Sequence, residues 1–425
     1  MFKTLRNAWA IPDLRHKMLY TLLMIFVFRL GSFIPVPGLR EGALSGLLGD
    51  GNNLFSMLDA FSGGAFSNAT IFAMGITPYI NSSIILQLLT VAIPALERLS
   101  KEGEEGRKVI AKWTRFGTVI LALIQSTGLF FALKGSLTYS SAVWGYIVIV
   151  TTLTAGTAFL MWLGEQITEK GVGNGISMII FAGIVSGIPS MISQIAKTFK
   201  AGSLGIVGVI AIALVSLLMV TFVVFMDNAE RRIPVQYAKR MVGRKMYGGQ
   251  NTHIPIKVVM AGVIPIIFAM SIMSFPSTIM GFMGYTPGQS TFWGKFWSLF
   301  TQTSWVYMIL YFLLIVFFTY FYTAIQFNPV EIANNMKRNG GFVPGIRPGR
   351  PTSDYISKIL TRITLAGALF LGVVAVLPMV LSVAINYNFY AIGGSSLLIV
   401  VGVALETTKQ IESQMLMRHY KGFLE

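Results

Sequence analysis

Ten apolar runs of about twenty residues recur along the chain, and no other feature constrains its fold as strongly. They lie at approximately 18–36, 70–96, 113–134, 142–164, 174–196, 204–226, 258–281, 304–326, 358–384 and 390–410. Each is near the ~20 residues an α-helix needs to cross a hydrocarbon core ~30 Å thick. Backbone polar groups find no water there, so each run must satisfy its own, as a helix does. Composition agrees. Of 425 residues, 54% are apolar and 12% charged, against about a quarter charged in soluble domains. No segment between the runs reads as a soluble domain. The expected architecture is one all-α polytopic membrane domain over 1–425, with five helices in 1–200 and five in 201–425.

The charges orient it. Lys and Arg number 33 against 17 acids. With the N-terminus inside, 27 basic residues fall on cytoplasmic segments and five (Arg40, Lys134, Lys197, Lys200 and Lys295) on the opposite side. Arg29 alone sits in mid-span. That split is a positive-inside signature and places both ends in the cytoplasm. It also supports the helix count, since one helix more or fewer would reverse every downstream loop. The basic start, with Lys3, Arg6, Arg15 and Lys17, resembles a signal-peptide n-region. No small-residue cleavage pattern follows, so 18–36 reads as a retained first helix.

Between the first two spans lies a short apolar segment, about Leu54 to Asn68, broken at Gly63-Gly64. It is too short to span, which leaves a re-entrant segment beside a water-filled cavity or a plain extracytoplasmic loop. A faint internal repeat is also visible. The second span carries Gly75-Ile76-Thr77-Pro78-Tyr79-Ile80, and the seventh carries Gly262-Val263-Ile264-Pro265-Ile266-Ile267. Both read Gly-x-x-Pro-x-Ile. Each is the second helix of a five-helix half, and an odd number of helices per half requires the halves to be inverted. Inverted repeats place a pathway at their interface.

Ionisable side chains are nearly absent from the spans, which disfavours a proton- or ion-coupled transporter. Arg29 is read as a structural anchor bonded to backbone carbonyls, and Glu165 lies at the end of the fourth span. There is no cysteine, and the three histidines (His16, His253, His419) have no metal-ligand spacing. No catalytic constellation, metal or cofactor is implied. Ile76 and Ile80, and Ile176 and Ile180, are each four apart and share a helix face. With Ile267 and Ile399 they could form an apolar ring that excludes ions by dewetting. Packing or lipid-facing isoleucines are the alternative for any single one. The loops at about 227–257 and 327–357 hold more basic and turn-forming residues than orientation requires, and suit docking to an acidic protein face or to structured RNA.

Several stretches resemble the SecY/Sec61 alpha family of protein-conducting channel subunits. They are Phe28-Arg29-Leu30-Gly31-Ser32-Phe33-Ile34-Pro35-Val36-Pro37-Gly38, Ile71 to Ile80, Met161-Trp162-Leu163-Gly164-Glu165-Gln166-Ile167-Thr168, Gly173-Asn174-Gly175-Ile176-Ser177, Ala261-Gly262-Val263-Ile264-Pro265 and Phe342-Val343-Pro344-Gly345-Ile346-Arg347-Pro348-Gly349. The resemblance runs, in order, from there to Ser395-Ser396-Leu397-Leu398-Ile399-Val400.

The resemblance implies an hourglass of two inverted halves around a pore, in the cytoplasmic membrane. Its apolar ring would be Ile76, Ile80, Ile176, Ile180, Ile267 and Ile399. A plug would include Leu54, Phe55, Met57, Leu58, Phe61, Gly63 and Gly64. A lateral gate, opening to lipid, would carry Asn81, Gln87, Gln125 and Phe275. Lys239, Arg240, Arg244, Lys245, Arg347 and Arg350 would dock the motor ATPase SecA or a ribosome through its rRNA. SecE and SecG would be the small membrane partners, and an unfolded preprotein with its signal peptide the passenger. Two other readings stay open on the residues alone: a secondary transporter for a small solute, and an assembly platform without a pore.

Overall fold

The computed structural model describes the chain except residues 1, 41–43, 45–58, 60–61, 134–140, 203–204, 238–239, 243–244, 248–250, 284–295, 297–298, 302–303, 386–393 and 422–425. Thirteen named helices are described. A short α1 (Phe2–Ala10) precedes α2 (Pro12–Gly31). Then come α3 (Thr77–Ala92), α4 (Pro94–Lys101), α5 (Glu104–Ala132), α6 (Ala142–Lys170) and α7 (Gly175–Lys200). The second half holds α8 (Ile206–Asn228), α9 (Ile264–Met283), α10 (Trp305–Gln326), α11 (Pro329–Arg338), α12 (Arg350–Ile385) and α13 (Gly394–Lys421). Ten of these, all but α1, α4 and α11, each hold most of one apolar run. Among the described residues six are individually long and apolar enough to cross a membrane, or seven if α3 and α4 count as one bent span.

The apolar runs locate the helices better than they bound them. Helix α2 begins six residues before its expected start, because Pro12 at its first turn has no N–H to lose and Asp13 suits the positive helix end. The run expected over 70–96 is helical only across Thr77–Ala92. Upstream of it lie turns, and downstream the chain bends by 103° into α4 at Ile93-Pro94, since proline cannot continue the ladder of the preceding helix. Helices α5 and α12 begin well before the apolar runs, and these added first turns carry Arg107, Lys108 and Lys112 on α5 and Arg350 on α12.

The repeat takes physical form at two glycines. Gly75 and Gly262 both sit at positive φ, +55° and +58°. In each case the helix starts two residues later, at Thr77 and at Ile264, with proline next. A side chain with a Cβ rarely adopts that backbone, so glycine terminates the turn and proline opens the helix.

The halves meet along two seams. On one side α9 packs against α3 and α5; on the other α13 packs against α7. The largest apolar core runs through these seams and joins Ile84 and Ile180 of the first half to Ile266, Met270, Tyr307, Phe318, Leu371 and Ile399 of the second. The outer faces are apolar and uncovered. Leu214, Leu217, Leu218 and Phe225 on α8 are all more than half exposed, a face suited to lipid and costly in water. Hydroxyls within the spans bond to carbonyls one turn back, as in Thr118 to Thr114, Thr157 to Leu153 and Thr319 to Ile315, which keeps them satisfied without water.

One feature departs from an all-helical expectation. The basic loops carry a small antiparallel sheet of order β4-β1-β5, with β1 Glu230–Tyr237, β4 Asn251–Lys257 and β5 Gly341–Phe342. A separate ribbon pairs β2 (Arg240–Val242) with β3 (Lys245–Tyr247). Ile233, Val235 and Ile256 of the sheet bury against Met336, Ile356 and Leu360 of α11 and α12. The sheet is therefore packed onto the second half, with β1 alternating exposed Arg232 and Pro234 with buried Ile233 and Val235 as a one-faced strand should.

Candidate functional site

The seams enclose a cavity. Its lining comes from seven parts of the chain: Phe28 of α2, Ser62 and Gly75 of the segment between α2 and α3, Ile76, Thr77 and Ile80 at the start of α3, Leu160 of α6, Ile179 and Ile180 of α7, with Ile267, Met270, Ser271 and Ser274 of α9 and Ile399 of α13 completing it. The enclosed non-atom space is about 690 Å³, part of it open to solvent. No lining residue is charged; the polar groups are hydroxyls of Ser62, Thr77, Ser271 and Ser274.

Five of the six expected ring isoleucines line this cavity: Ile76, Ile80, Ile180, Ile267 and Ile399. Ile76 caps α3 and accepts the Ile80 amide at 3.1 Å, so the two side chains stand one turn apart on one face. Ile180 is delivered by α7, whose start is fixed by Asn174: its side chain accepts from the amides of Ile176 and Ser177. Ile176 is half-buried and does not reach the lining. Gly175 lies against the Gly164 carbonyl, and the Ile176 side chain lies over Gly164 of α6. The spacing of four from Ile180 puts the two on one helix face, and Ile176 packs against the same core as Ile180 while also lying over Gly164. Phe28, Leu160, Ile179 and Met270 were not expected in the lining. Nothing in their spacing marks them, because each sits on a helix that carries apolar residues on its less buried as well as its buried faces.

Under the isoleucines the chain returns through turns. Within this stretch Gly64 donates its amide to the Asp59 carbonyl (2.9 Å), Ser67 its amide to Asp59 Oδ1 (2.7 Å), and Phe66 its amide to Ser62 Oγ (3.2 Å). Ala65, Phe66 and Ala69 are buried against α2, α5 and α6. Its far end pairs with the chain after α2, through Val36 to Ala69 and Ile71 to Ile34. Phe72 stacks between Phe28 and Phe159. Gly63 and Gly64 make the tight bend here, with positive φ of +66° and +84°. Leu54, Phe55, Met57, Leu58 and Phe61 lie outside the described residues.

Arg29 has the partners expected of an anchor. Its Nη1 donates to the Gly63 carbonyl at 2.8 Å and to Ser186 Oγ of α7 at 3.2 Å, and the guanidinium lies over the Phe33 ring at 4.8 Å. Glu165 pairs with Arg115 at 2.7 Å on the half-exposed side of α5 and α6.

The four expected gate residues lie on α3, α5 and α9, three helices that pack together at one seam. Asn81 is buried, and its Oδ1 has no hydrogen-bond partner. Gln87 is half-buried and reaches Ser83 at 3.4 Å; six residues from Asn81, it stands about 120° around the helix and does not share its face. Gln125 is half-buried on α5. Phe275 lies on α9, its side chain outside the described residues. Of the basic docking set, Arg347 and Arg350 are exposed beside the turns at Gly345 and Gly349, whose φ values are +81° and +104°. Thr352 donates to the Arg347 carbonyl at 2.8 Å. Arg240 and Lys245 lie on the β2–β3 ribbon, with Lys239 and Arg244 outside the described residues. Among those described, no group of three His, Cys, Asp or Glu could hold a metal.

Comparison with known proteins gives a consistent answer. The family model described as SecY matches residues 70–408. The chain is 49% identical over 437 residues to the protein translocase subunit SecY of Halalkalibacterium halodurans and 47% identical over 440 residues to that of Streptomyces coelicolor, each match covering 100% of both chains. Among solved structures it resembles a protein-conducting channel (TM-score 0.66, 17% identity, 94% of this chain and 92% of that one). It also resembles Sec61 in the canine ribosome–channel complex (TM-score 0.61, 16% identity, the same coverage).

Proposed function

The chain belongs to the SecY family of protein translocase subunits, and from that premise we propose that its central cavity is the constriction of the channel it forms in the bacterial cell membrane. The protein conducts unfolded polypeptides across that membrane and releases apolar helices sideways into lipid. The small-solute transporter reading falls with the family membership, and the uncharged lining agrees.

The observation that carries the assignment of the cavity is the convergence of five isoleucines from four elements, all in repeat-equivalent places, above a re-entrant turn. A passing chain has no fixed sequence, so specific polar binding would hold some segments and reject others. An apolar constriction offers no fixed polar partners, and when narrow it dewets and blocks ions. The turn at 59–69 acts as the plug below it. The seam of α3 and α5 against α9 acts as the lateral gate. There the unpaired Asn81 oxygen costs stability in the closed state and narrows the gap to the open one. Both ends face the cytoplasm, and so does the basic layer of β1–β5, α11 and the 341–350 turns. That layer is the docking surface for SecA or for ribosomal RNA, and SecE and SecG cover part of the exposed apolar helices. The channel supplies no energy; the motor or the translating ribosome does.

Because the native sequence has no cysteine, single thiols can test the path. With Ile80→Cys or Ile267→Cys, a proprotein arrested in transit and carrying a thiol-reactive probe should form adducts, whereas Leu214→Cys on the outer face of α8 should not. Adducts at Leu214→Cys only, or at none of the three with transport intact, would place the path elsewhere.

A further inference from the structure

We propose that Arg29 is a positioning residue that latches the re-entrant turn beneath the constriction while the constriction is dry. The proposal rests on the channel reading above and deepens it.

The geometry ties three elements at one guanidinium. Arg29 projects from α2, takes the Gly63 carbonyl of the turn at 2.8 Å, and takes Ser186 of α7 at 3.2 Å. Ser186 donates its own proton to the Gly183 carbonyl at 2.7 Å, which leaves its oxygen free to accept. The fit at Gly63 is close. A Cβ there would stand 2.3 Å from Ser186 Oγ and 3.2 Å from Arg29 Nη1, on a backbone already at φ +66°. Even a methyl group would lift the turn off its seat. The next residue back, Ser62, lines the cavity. The contacts Asp59–Gly64, Ser62–Phe66 and Asp59–Ser67 are internal to the turn. They shape it without fixing it to the helices, and the Arg29 bond supplies that attachment on the pore side.

The choice of a cation makes the latch conditional. Arg29 is half-buried, so while no water replaces it, releasing Gly63 strips a partly desolvated charged donor of its best acceptor, which costs more than losing a neutral bond. Once a chain and water enter, the freed guanidinium is hydrated and release becomes cheap. The same bond is therefore strong in the resting channel and weak in the working one. A serine or glutamine donor would lack most of this contrast.

The test is resting ion conductance of the channel, with its small membrane partners, in proteoliposomes, alongside transport of an ordinary proprotein. Arg29→Met should raise resting conductance roughly 10- to 100-fold, the scale of a lost charge-assisted hydrogen bond. Arg29→Lys, which keeps charge and a donor, should restore most of the seal, a rescue that a purely space-filling role does not predict. Gly63→Ala should leak with Arg29 intact, and the Arg29→Met/Gly63→Ala pair no more than either alone. With a chain held in the pore, native and Arg29→Met should conduct alike. An Arg29→Met channel that transports normally and stays as tight as the native one overturns the latch. If Arg29→Met yields no folded protein, a tight Gly63→Ala channel overturns it and a leaky one supports it. A native channel that moves no proprotein would instead count against the channel reading.

Discussion

Two glycines of α7 should respond to the same substitution in opposite ways. At Gly175 a Cβ would fall 1.9 Å from the Gly164 carbonyl oxygen and 2.8 Å from Ile167 Cβ. Both neighbours are backbone or branch point, so neither can rotate away. Reaching even 3.0 Å requires α6 and α7 to part by about 1.1 Å at that point. Forcing one methyl into such a contact costs roughly 1–3 kcal/mol. At Gly187 the same Cβ meets nothing within 4 Å, and alanine should gain about 0.5–1 kcal/mol by helix propensity. The two variants should thus differ by roughly 1.5–4 kcal/mol, although each adds one methyl to one helix. The assay is thermal unfolding of the purified protein in detergent at a single scan rate, since such unfolding is often irreversible. Gly175→Ala should melt below the native protein and Gly187→Ala at or above it. Because α7 delivers Ile179 and Ile180, Gly175→Ala should also leak ions. A Gly175→Ala midpoint equal to or above native would refute the close approach of α6 and α7.

Other expectations follow from single contacts. Asn174→Ala removes the acceptor for two amides at the start of α7 and should cost about 1 kcal/mol, read as a lower melting midpoint. Ile399→Ala, at a site 1% exposed, should cost roughly 2–5 kcal/mol by leaving a void in the joint core of the two halves. The Lys409–Asp227 pair, at 2.9 Å, links α13 to α8 with side chains 35% and 22% exposed. A double-mutant cycle should return about 0.2–1 kcal/mol that shrinks with added salt, and a coupling well above that range would mean the pair is drier than its exposure indicates.

What was legible in the sequence was what a membrane enforces along the chain. Twenty-residue apolar runs located the helices, and Gly-x-x-Pro-x-Ile marked both broken entries, because a left-handed turn needs Gly75 and Gly262 whatever packs nearby. Less legible was anything decided across helices. Nothing local says that Gly164 receives Ile176, whose side chain packs over α6 as well as against the core shared with Ile180. Phe28, Leu160 and Met270 reach the cavity from helices whose apolar residues point every way, so periodicity could not choose among them. The sheet at 230–257 alternates over too few residues, within too basic a loop, to stand out from a docking loop. The Arg29 anchor was expected, since a lone intramembrane cation has few other ways to exist, but its carbonyl partner came from the tertiary fold.

The measurement closest to the central claim is ion conductance of the channel with Ile80→Ser and Ile267→Ser, set beside the native protein in the same proteoliposomes. If an apolar constriction is the seal, the native channel is tight, the serine channel conducts ions at rest, and both transport a proprotein when the motor and ATP are supplied. A serine channel that stays as tight as the native one while transporting normally would contradict the account, because the barrier to ions would then lie somewhere other than the ring of isoleucines.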